Sequence, residues 1–238
     1  MELKKENALD IVFPKFCVNC QTEGFYLCPD CFSLIEIFDR QYCPFCQTGL
    51  VVPDGKTCQK CKKSHKLNGL FCATSYENQI VRKLVHIFKY EPFVRDVAET
   101  LAYLTINHLA AVARGPYSLD IGDFILIPVP SHQKKLKYRG FNPAEEIAKF
   151  LSFYLKLPLE ISVLAKIKQT PAQMELKKEE RLENIKGAFE VENKEPIKNK
   201  KILLVDDVFT TGSTIEECAS RLKTAGAKEV WGVVMARG

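Results

Sequence analysis

The chain has 238 residues, 46% of them apolar, and a net charge of +5. That length accommodates one medium domain with a small appendage, and the apolar content excludes a chain too polar to bury a core. The mild charge, mixed along the sequence, permits a nucleic-acid partner but excludes a dedicated polyanion-binding tail.

Residues 1–16 alternate charged and apolar side chains instead of forming the apolar core of a signal peptide. No later stretch reaches the roughly 20 apolar residues of a membrane span, so a cytosolic location without membrane insertion is expected. In a reducing cytosol the ten cysteines point to metal binding or burial, not to disulfides. Eight of them form four pairs with two residues between the members: Cys17/Cys20, Cys28/Cys31, Cys43/Cys46 and Cys58/Cys61. A two-residue gap lets a tight knuckle aim both sulfurs at one ion, and two knuckles complete a tetrahedron. Four thiolates close the sphere, so two structural zinc ions are predicted. Sequential pairing is preferred here, with cross-bracing the alternative that the spacing leaves open. Leu27–Asp39 is predicted to lead into a short amphipathic helix with Cys28 and Cys31 near its N-terminus, where thiolates are favoured. Segments this short bury little core, so metal binding, worth on the order of 10 kcal/mol, would supply their folding energy. Cys72 and Cys218 are expected as packing residues, and His65 as a surface residue. The lysine-rich segment 56–66 is expected as a solvated loop able to touch phosphates.

From Leu70 the composition changes, giving a predicted zinc-binding module over 1–68 and a second domain over 69–238. After an apolar segment over 69–76, Asn78–Tyr90 repeats Ile80, Leu84, Val85 and Phe88 at helical spacing, and a second helix is predicted from Phe93 to Ala113. Phe124–Val129 is a continuous apolar run, the signature of a strand covered on both faces. A polar loop, Pro130–Phe141, comes next. Asn142 and Pro143 then open a helix as cap and first-turn residue, with Glu145 placed to close a capping box and Ile147, Phe150, Leu151 and Tyr154 as the buried stripe. Lys166–Lys200 is highly charged apart from Ala188–Val191, and is predicted to include a loop excursion that closes over a ligand.

The strongest functional signal is Lys201–Glu217, KILLVDDVFTTGSTIEE. Ile202–Val205 would carry Asp206 and Asp207 to the carboxyl end of a buried strand, the edge where open α/β sheets bind ligands. Two adjacent carboxylates can accept hydrogen bonds from vicinal ribose hydroxyls and support a nearby Mg²⁺. The turn after Val208 offers the hydroxyls of Thr210, Thr211, Ser213 and Thr214 and the small Gly212 at a helix N-terminus, a geometry that holds phosphate. Ile215, Cys218, Ala219 and Leu222 supply that helix's buried face, Gly226 ends it, and Glu229–Ala236 returns as a strand. A diol site beside a phosphate cradle implies a 5-phosphoribosyl group. The chain lacks the Gly-Lys-Ser/Thr of a P-loop here and the Gly-x-Gly-x-x-Gly of a dinucleotide fold.

These residues resemble the signature of type I phosphoribosyltransferases. The surrounding chain resembles the ComF family, also called ComFC or GntX-like, of competence-associated proteins, over nearly its whole length. The resemblance is carried by the paired-cysteine modules, Phe88-Lys89-Tyr90, IPVPSHQKKLKYRGFNPAEEIA over 127–148, QTPAQMELKKEERLENIKGAF from Gln169, and Ala236-Arg237-Gly238. Pro143 stands where family members commonly have glutamine. The resemblance implies an α/β, Rossmann-like, mostly parallel sheet of the type I phosphoribosyltransferase fold, behind a double zinc-ribbon or treble-clef-like module. It implies phosphoribosyl pyrophosphate with Mg²⁺ as ligand, substrate-binding residues Val208, Thr210, Thr211, Gly212, Ser213 and Thr214, and Ser131, Lys135 and Arg139 facing the pyrophosphate. Two functions are expected from it. One is an enzyme in which a nitrogen nucleophile displaces pyrophosphate, with Asp206, Asp207 and Arg139 as its catalytic groups, serving nucleotide salvage or synthesis. The other is a ligand-regulated DNA-uptake factor that works on single-stranded DNA beside a competence helicase at the inner face of the membrane. There Phe25, Tyr26, Phe45 and the lysine-rich segment could supply stacking and phosphate contacts; the alternative left open is that the zinc modules only dock a protein partner.

Overall fold

In the computed structural model, which describes residues 14–46, 51–52, 55–114, 120–169 and 184–238, two very short helices mark the cysteine-rich region: α1 (Pro29–Phe32) and α2 (Gln59–Lys62). After them come β1 (Gly69–Ser75), α3 (Gln79–Lys89), α4 (Val97–Ala113), β2 (Phe124–Pro128), α5 (Gln133–Arg139), α6 (Pro143–Leu155), β3 (Leu164–Lys166), β4 (Phe189–Val191), β5 (Lys201–Phe209), α7 (Ser213–Thr224) and β6 (Glu229–Arg237). The main sheet has the order β1-β6-β5-β2 and every neighbouring pair is parallel. β3 and β4 form a separate antiparallel pair.

A parallel sheet covered on both faces needs apolar side chains pointing both ways, and β5 and β6 supply them in alternation. Leu203, Val205, Trp231, Val233 and Met235 pack with α3, α4 and α6, whereas Ile202, Leu204, Val230 and Val234 pack with α7 and the β3/β4 pair. Each such fully buried side chain contributes about 1.5–3 kcal/mol. Gly69 is required where β1 passes Trp231, because a Cβ there would come within 2.3 Å of the indole. Among the described residues no helix is long and apolar enough to cross a membrane.

Local chemistry explains where the helices begin. Asn78 caps α3, its Oδ1 accepting from the backbone N–H of Ile80 and Val81, a cap worth about 1 kcal/mol. α4 starts at Val97, later than Phe93, because Phe93 sits at φ +56, outside the helical region. The predicted polar loop over 130–141 contains α5, capped by His132 and ended by Gly140 at φ +83. Its residues QKKLKYR are mostly good helix formers but none is buried, so the apolar periodicity that betrays a helix is missing. Asn142 does precede α6, but its side chain is used elsewhere: Oδ1 accepts from Ser131 Oγ and Nδ2 donates to Val129 O. Glu145 pairs with Lys149, so the capping box does not form. The buried stripe of α6 is Ala144, Ile147, Ala148 and Leu151; Phe150 is half-buried and Tyr154 is exposed.

The expected excursion falls mainly on residues 170–183, outside the described residues. The chain beyond residue 184 is packed, with Ile185, Ala188, Phe189 and Ile197 in the core on the α7 side.

The first cysteine module is built into the larger domain. Cys17, Cys28, Cys31 and Ile35 belong to the same apolar cluster as the inner faces of α3 and α4. α1 is shorter than the predicted helix because the chain beyond it runs along β1: Phe38 N donates to Ala73 O and Thr74 Oγ1 to Glu36 O. Buried His108, its imidazole pushed toward the neutral form by desolvation, meets Phe38 O through Nδ1 at 2.6 Å.

Candidate functional site

At the carboxyl ends of β2 and β5 the sheet opens into a cleft of about 270 Å³. β5 runs beyond Val205 to Phe209, so the two aspartates lie within the strand and project to opposite faces of the sheet. Asp207 faces α3, where Lys89 Nζ stands 2.7 Å from its Oδ1; the carboxylate is only 5% exposed. The same Oδ1 accepts from Val208 N. Asp206 faces α7 and β3, near Cys218 and Lys166. Its Oδ1 accepts from Asp207 N at 2.9 Å. Burial, and then the charge of Asp207, push Asp206 up to about 7, with Lys89 opposing. Burial disfavours the charged Lys89, but Asp207 and Asp206 outweigh it and its pKa is raised.

The hydroxyl-rich turn lies over Phe209. The ring of Phe209 fills the space beneath Gly212, where a Cβ would approach to 2.3 Å, and Gly212 adopts φ +76. Both facts demand glycine. Thr211 Oγ1 and Ser213 Oγ share a hydrogen bond of 2.9 Å, and Ser213 N donates to Thr211 Oγ1. Ser213 opens α7, so the turn presents N–H groups at the positive end of a helix dipole, where an anion is favoured.

The cleft gathers Asp206, Asp207, Val208, Thr210, Gly212, Ser213 and Thr214 from the β5–α7 segment with Ser131, Lys135 and Arg139 from the β2–α6 connection. Thr211 does not line it, and the hydroxyl of Ser131 is given to Asn142. Arg139 rises from the last turn of α5. Burial works against its charge, Asp207 and then Tyr90 support it, and its Nε is buried without a hydrogen-bond partner among the described residues.

Two lysines of the cleft had no motif to reveal their chemistry. Lys89 reaches it from the end of α3 and Lys166 from the end of β3, where burial and then Lys135 push its pKa down. Lys89 appears in sequence only inside Phe88-Lys89-Tyr90, and Lys166 only as the edge of a charged run.

The cysteines form two sequential sets, Cys17, Cys20, Cys28, Cys31 and Cys43, Cys46, Cys58, Cys61, with the sulfurs of each set within 4.8 Å of one another. Cross-bracing is thereby excluded. A zinc–sulfur distance of about 2.3 Å gives a tetrahedron with edges of about 3.8 Å, close to the 3.4 Å between Cys20 and Cys28 and the 3.5 and 3.7 Å from Cys46 to Cys58 and Cys61. Backbone N–H groups of Cys28, Cys31 and Cys58 point at sulfurs of their own sets. Burial, and then crowding by Cys46 and Cys58, push Cys61 up to about 12, whereas the backbone N–H of Cys61 first of all pulls Cys58 down to about 7; four thiolates at this spacing repel one another, and a bound cation would relieve that repulsion. The donor set fits zinc.

Phe45 of the second module is half-buried: it stacks on His65 with ring centroids 3.6 Å apart and packs against the core on the α7 side, so one face of its ring is already covered. His65 is correspondingly half-buried, not a surface residue.

Residues 136–238 match the phosphoribosyl transferase domain family and residues 8–62 the double zinc ribbon domain family. Competence protein F of Haemophilus influenzae is 28% identical over 229 residues, 92% of this chain and 96% of that protein. DNA utilization protein YhgH of Escherichia coli O157:H7 is 30% identical over 198 residues, 81% of this chain and 83% of that protein. Competence protein ComFC of Streptococcus pneumoniae is 26% identical over 209 residues, 86% of this chain and 84% of that protein.

Proposed function

The chain belongs to the family of competence protein F, ComFC and the DNA utilization protein YhgH, with a phosphoribosyltransferase fold behind a double zinc ribbon, and from that premise we propose that it binds phosphoribosyl pyrophosphate. The observation that carries this is the sharing of one cleft by the Asp206/Asp207 pair and the Thr210–Thr214 turn. Although the two side chains leave β5 on opposite faces, both line the cleft, and the ribose 2- and 3-hydroxyls would donate to their carboxylates there. The hydroxyls of Thr210, Ser213 and Thr214 and the first N–H groups of α7 receive the 5-phosphate. Arg139 and Lys135, with Lys89 and Lys166, supply the cations that a diphosphate needs. Asp206, which makes no ion pair among the described residues, is the carboxylate that would support Mg²⁺. The metal would neutralise charge on the diphosphate. In this reading residues 69–238 are the ligand-binding unit and 1–68 the zinc module.

Displacement of pyrophosphate by a nitrogen nucleophile is the reaction such a site would serve, mainly by positioning and neutralisation. Calorimetry with phosphoribosyl pyrophosphate and Mg²⁺ tests the binding step. Wild type should bind and the Asp206→Asn/Asp207→Asn double variant should not; equal binding, or none to wild type, rejects the assignment.

The relatives' names, which refer to competence and to DNA utilization, support a role in handling DNA; we propose that this role is DNA uptake, on single-stranded DNA and beside a competence helicase. Exposed Phe25 in the first module and exposed Lys60, Lys62, Lys63 and Lys66 in the second are the contacts available for it. Affinity for a single strand should fall steeply with salt. Binding that ignores salt, or is absent, removes this role.

A further inference from the structure

The anion-binding turn is bracketed by two residues that the second cysteine module holds in place. Phe209 immediately precedes Thr210, and Glu216 lies in the first turn of α7. Phe45, inside the Cys43/Cys46 knuckle, is stacked on His65 and lies 6.2 Å from the Phe209 ring. Arg237, 5.7 Å from that ring, donates to Cys43 O and Pro44 O of the same knuckle. On the other side, the Glu216 carboxylate accepts from Lys66 N at 2.5 Å and Leu67 N at 3.2 Å, in the segment that leaves Cys61. Phe209 in turn supports Gly212 from below. Contact is therefore continuous from one knuckle through Phe45 and Phe209 to Gly212, and from the other through Lys66 and Leu67 to α7. The first module packs instead into the apolar cluster of α3 and α4.

Phosphate recognition by backbone N–H groups depends on the turn already having its binding shape, because ordering it on arrival would cost affinity. The shape of a cysteine knuckle is set by its metal. We propose that the second cysteine module is part of the anion site: Phe45 and Glu216 are positioning residues that hold the 210–214 turn, so that zinc at Cys43, Cys46, Cys58 and Cys61 and a phosphate group on the turn favour each other's binding. The first module has no such coupling. The inference rests on the reading of this turn as the 5-phosphate site and adds a second ligand to it. Linkage makes the effect reciprocal: whatever zinc does for phosphate affinity, phosphate does for zinc retention.

The test uses the full zinc-loaded chain. Release of zinc to a chromogenic chelator is monitored with and without phosphoribosyl pyrophosphate, and separately with inorganic phosphate. Ligand should slow release of one zinc equivalent and leave the other unchanged. Phe45→Ala and Glu216→Gln, both checked for zinc content and thermal unfolding, should keep both metals, bind the ligand about 5- to 150-fold more weakly, and lose the protection. The proposal is overturned if ligand slows both equivalents or neither, or if both variants bind as wild type does. Should phosphoribosyl pyrophosphate not bind at all, the assignment of the site fails, while the inorganic phosphate arm still decides the linkage: slowed release of one equivalent upholds it, and unchanged release overturns it. If Phe45→Ala does not fold, Glu216→Gln alone decides.

Discussion

Lys89 and Asp207 form a close ion pair, 2.7 Å from Nζ to Oδ1, between the last residue of α3 and the C-terminal third of β5. Removing one partner of a buried pair typically costs about 3–5 kcal/mol; with Lys89 26% exposed, a smaller loss of about 2 kcal/mol is expected for Lys89→Met. Thermal unfolding should register it as a drop of several degrees. Lys89→Met/Asp207→Asn should recover part of that loss. A double variant no more stable than the single one would show that charge balance is not what the lysine provides.

Asp206 sets a pH dependence whose sign is fixed by its raised pKa. Its carboxyl titrates at about 7 in the fold, against roughly 4 in an unfolded chain. Between those values the folded state holds a proton that the unfolded state has released. Stability should therefore fall as pH rises from about 4 to about 7 and level off above it. Asp206→Asn should flatten this slope and raise the unfolding temperature at pH 8 more than at pH 5. Denaturant titrations across that range would show it.

The same titration bears on ligand affinity. An ionised carboxylate is the better acceptor for a sugar hydroxyl, so phosphoribosyl pyrophosphate should bind more tightly at pH 8 than at pH 6. Calorimetry at the two pH values on wild type and Asp206→Asn separates this effect from titration of the ligand. A difference that survives in the variant belongs to the ligand.

Gly212→Ala should damage both the turn and the fold around it. The added Cβ would meet the Phe209 ring at 2.3 Å, and φ +76 is strained for alanine, so a cost of about 1–3 kcal/mol is expected. Phosphate affinity should fall with it. Unchanged affinity would mean that the turn tolerates a different shape.

The two cysteine sets should differ in what their loss does to stability. Cys17, Cys28 and Cys31 are contiguous with the core under α3 and α4, so Cys28→Ser/Cys31→Ser should lower the unfolding temperature of the whole chain. Cys58→Ser/Cys61→Ser, at half-buried positions, should lower it less. Calorimetric scans of the two double variants compare them directly.

Contiguity decides what could be read from the sequence alone. Strand, aspartates, turn and α7 occur within one run, and each cysteine set within one short segment, so spacing alone exposes their chemistry. α5 escaped because a helix with no buried side chain has no apolar period. Lys89 and Lys166 escaped because only tertiary packing sets them beside the aspartates, and a lysine at the end of an element looks the same whether it meets solvent or a carboxylate. The capping box at Asn142 failed for a similar reason: a distant Ser131 and Val129 O competed for the same amide.

The alternation along β5 has an evolutionary corollary. Its interior apolar positions can exchange one aliphatic residue for another at little cost, but the strand cannot change in length. Gaining or losing one residue before Asp206 would swap the two carboxylates across the sheet, turning the neighbour of Lys89 toward Cys218 and leaving that lysine facing the wrong acid. Natural variation in this segment should consist of replacements, with insertions and deletions confined to the loops on either side.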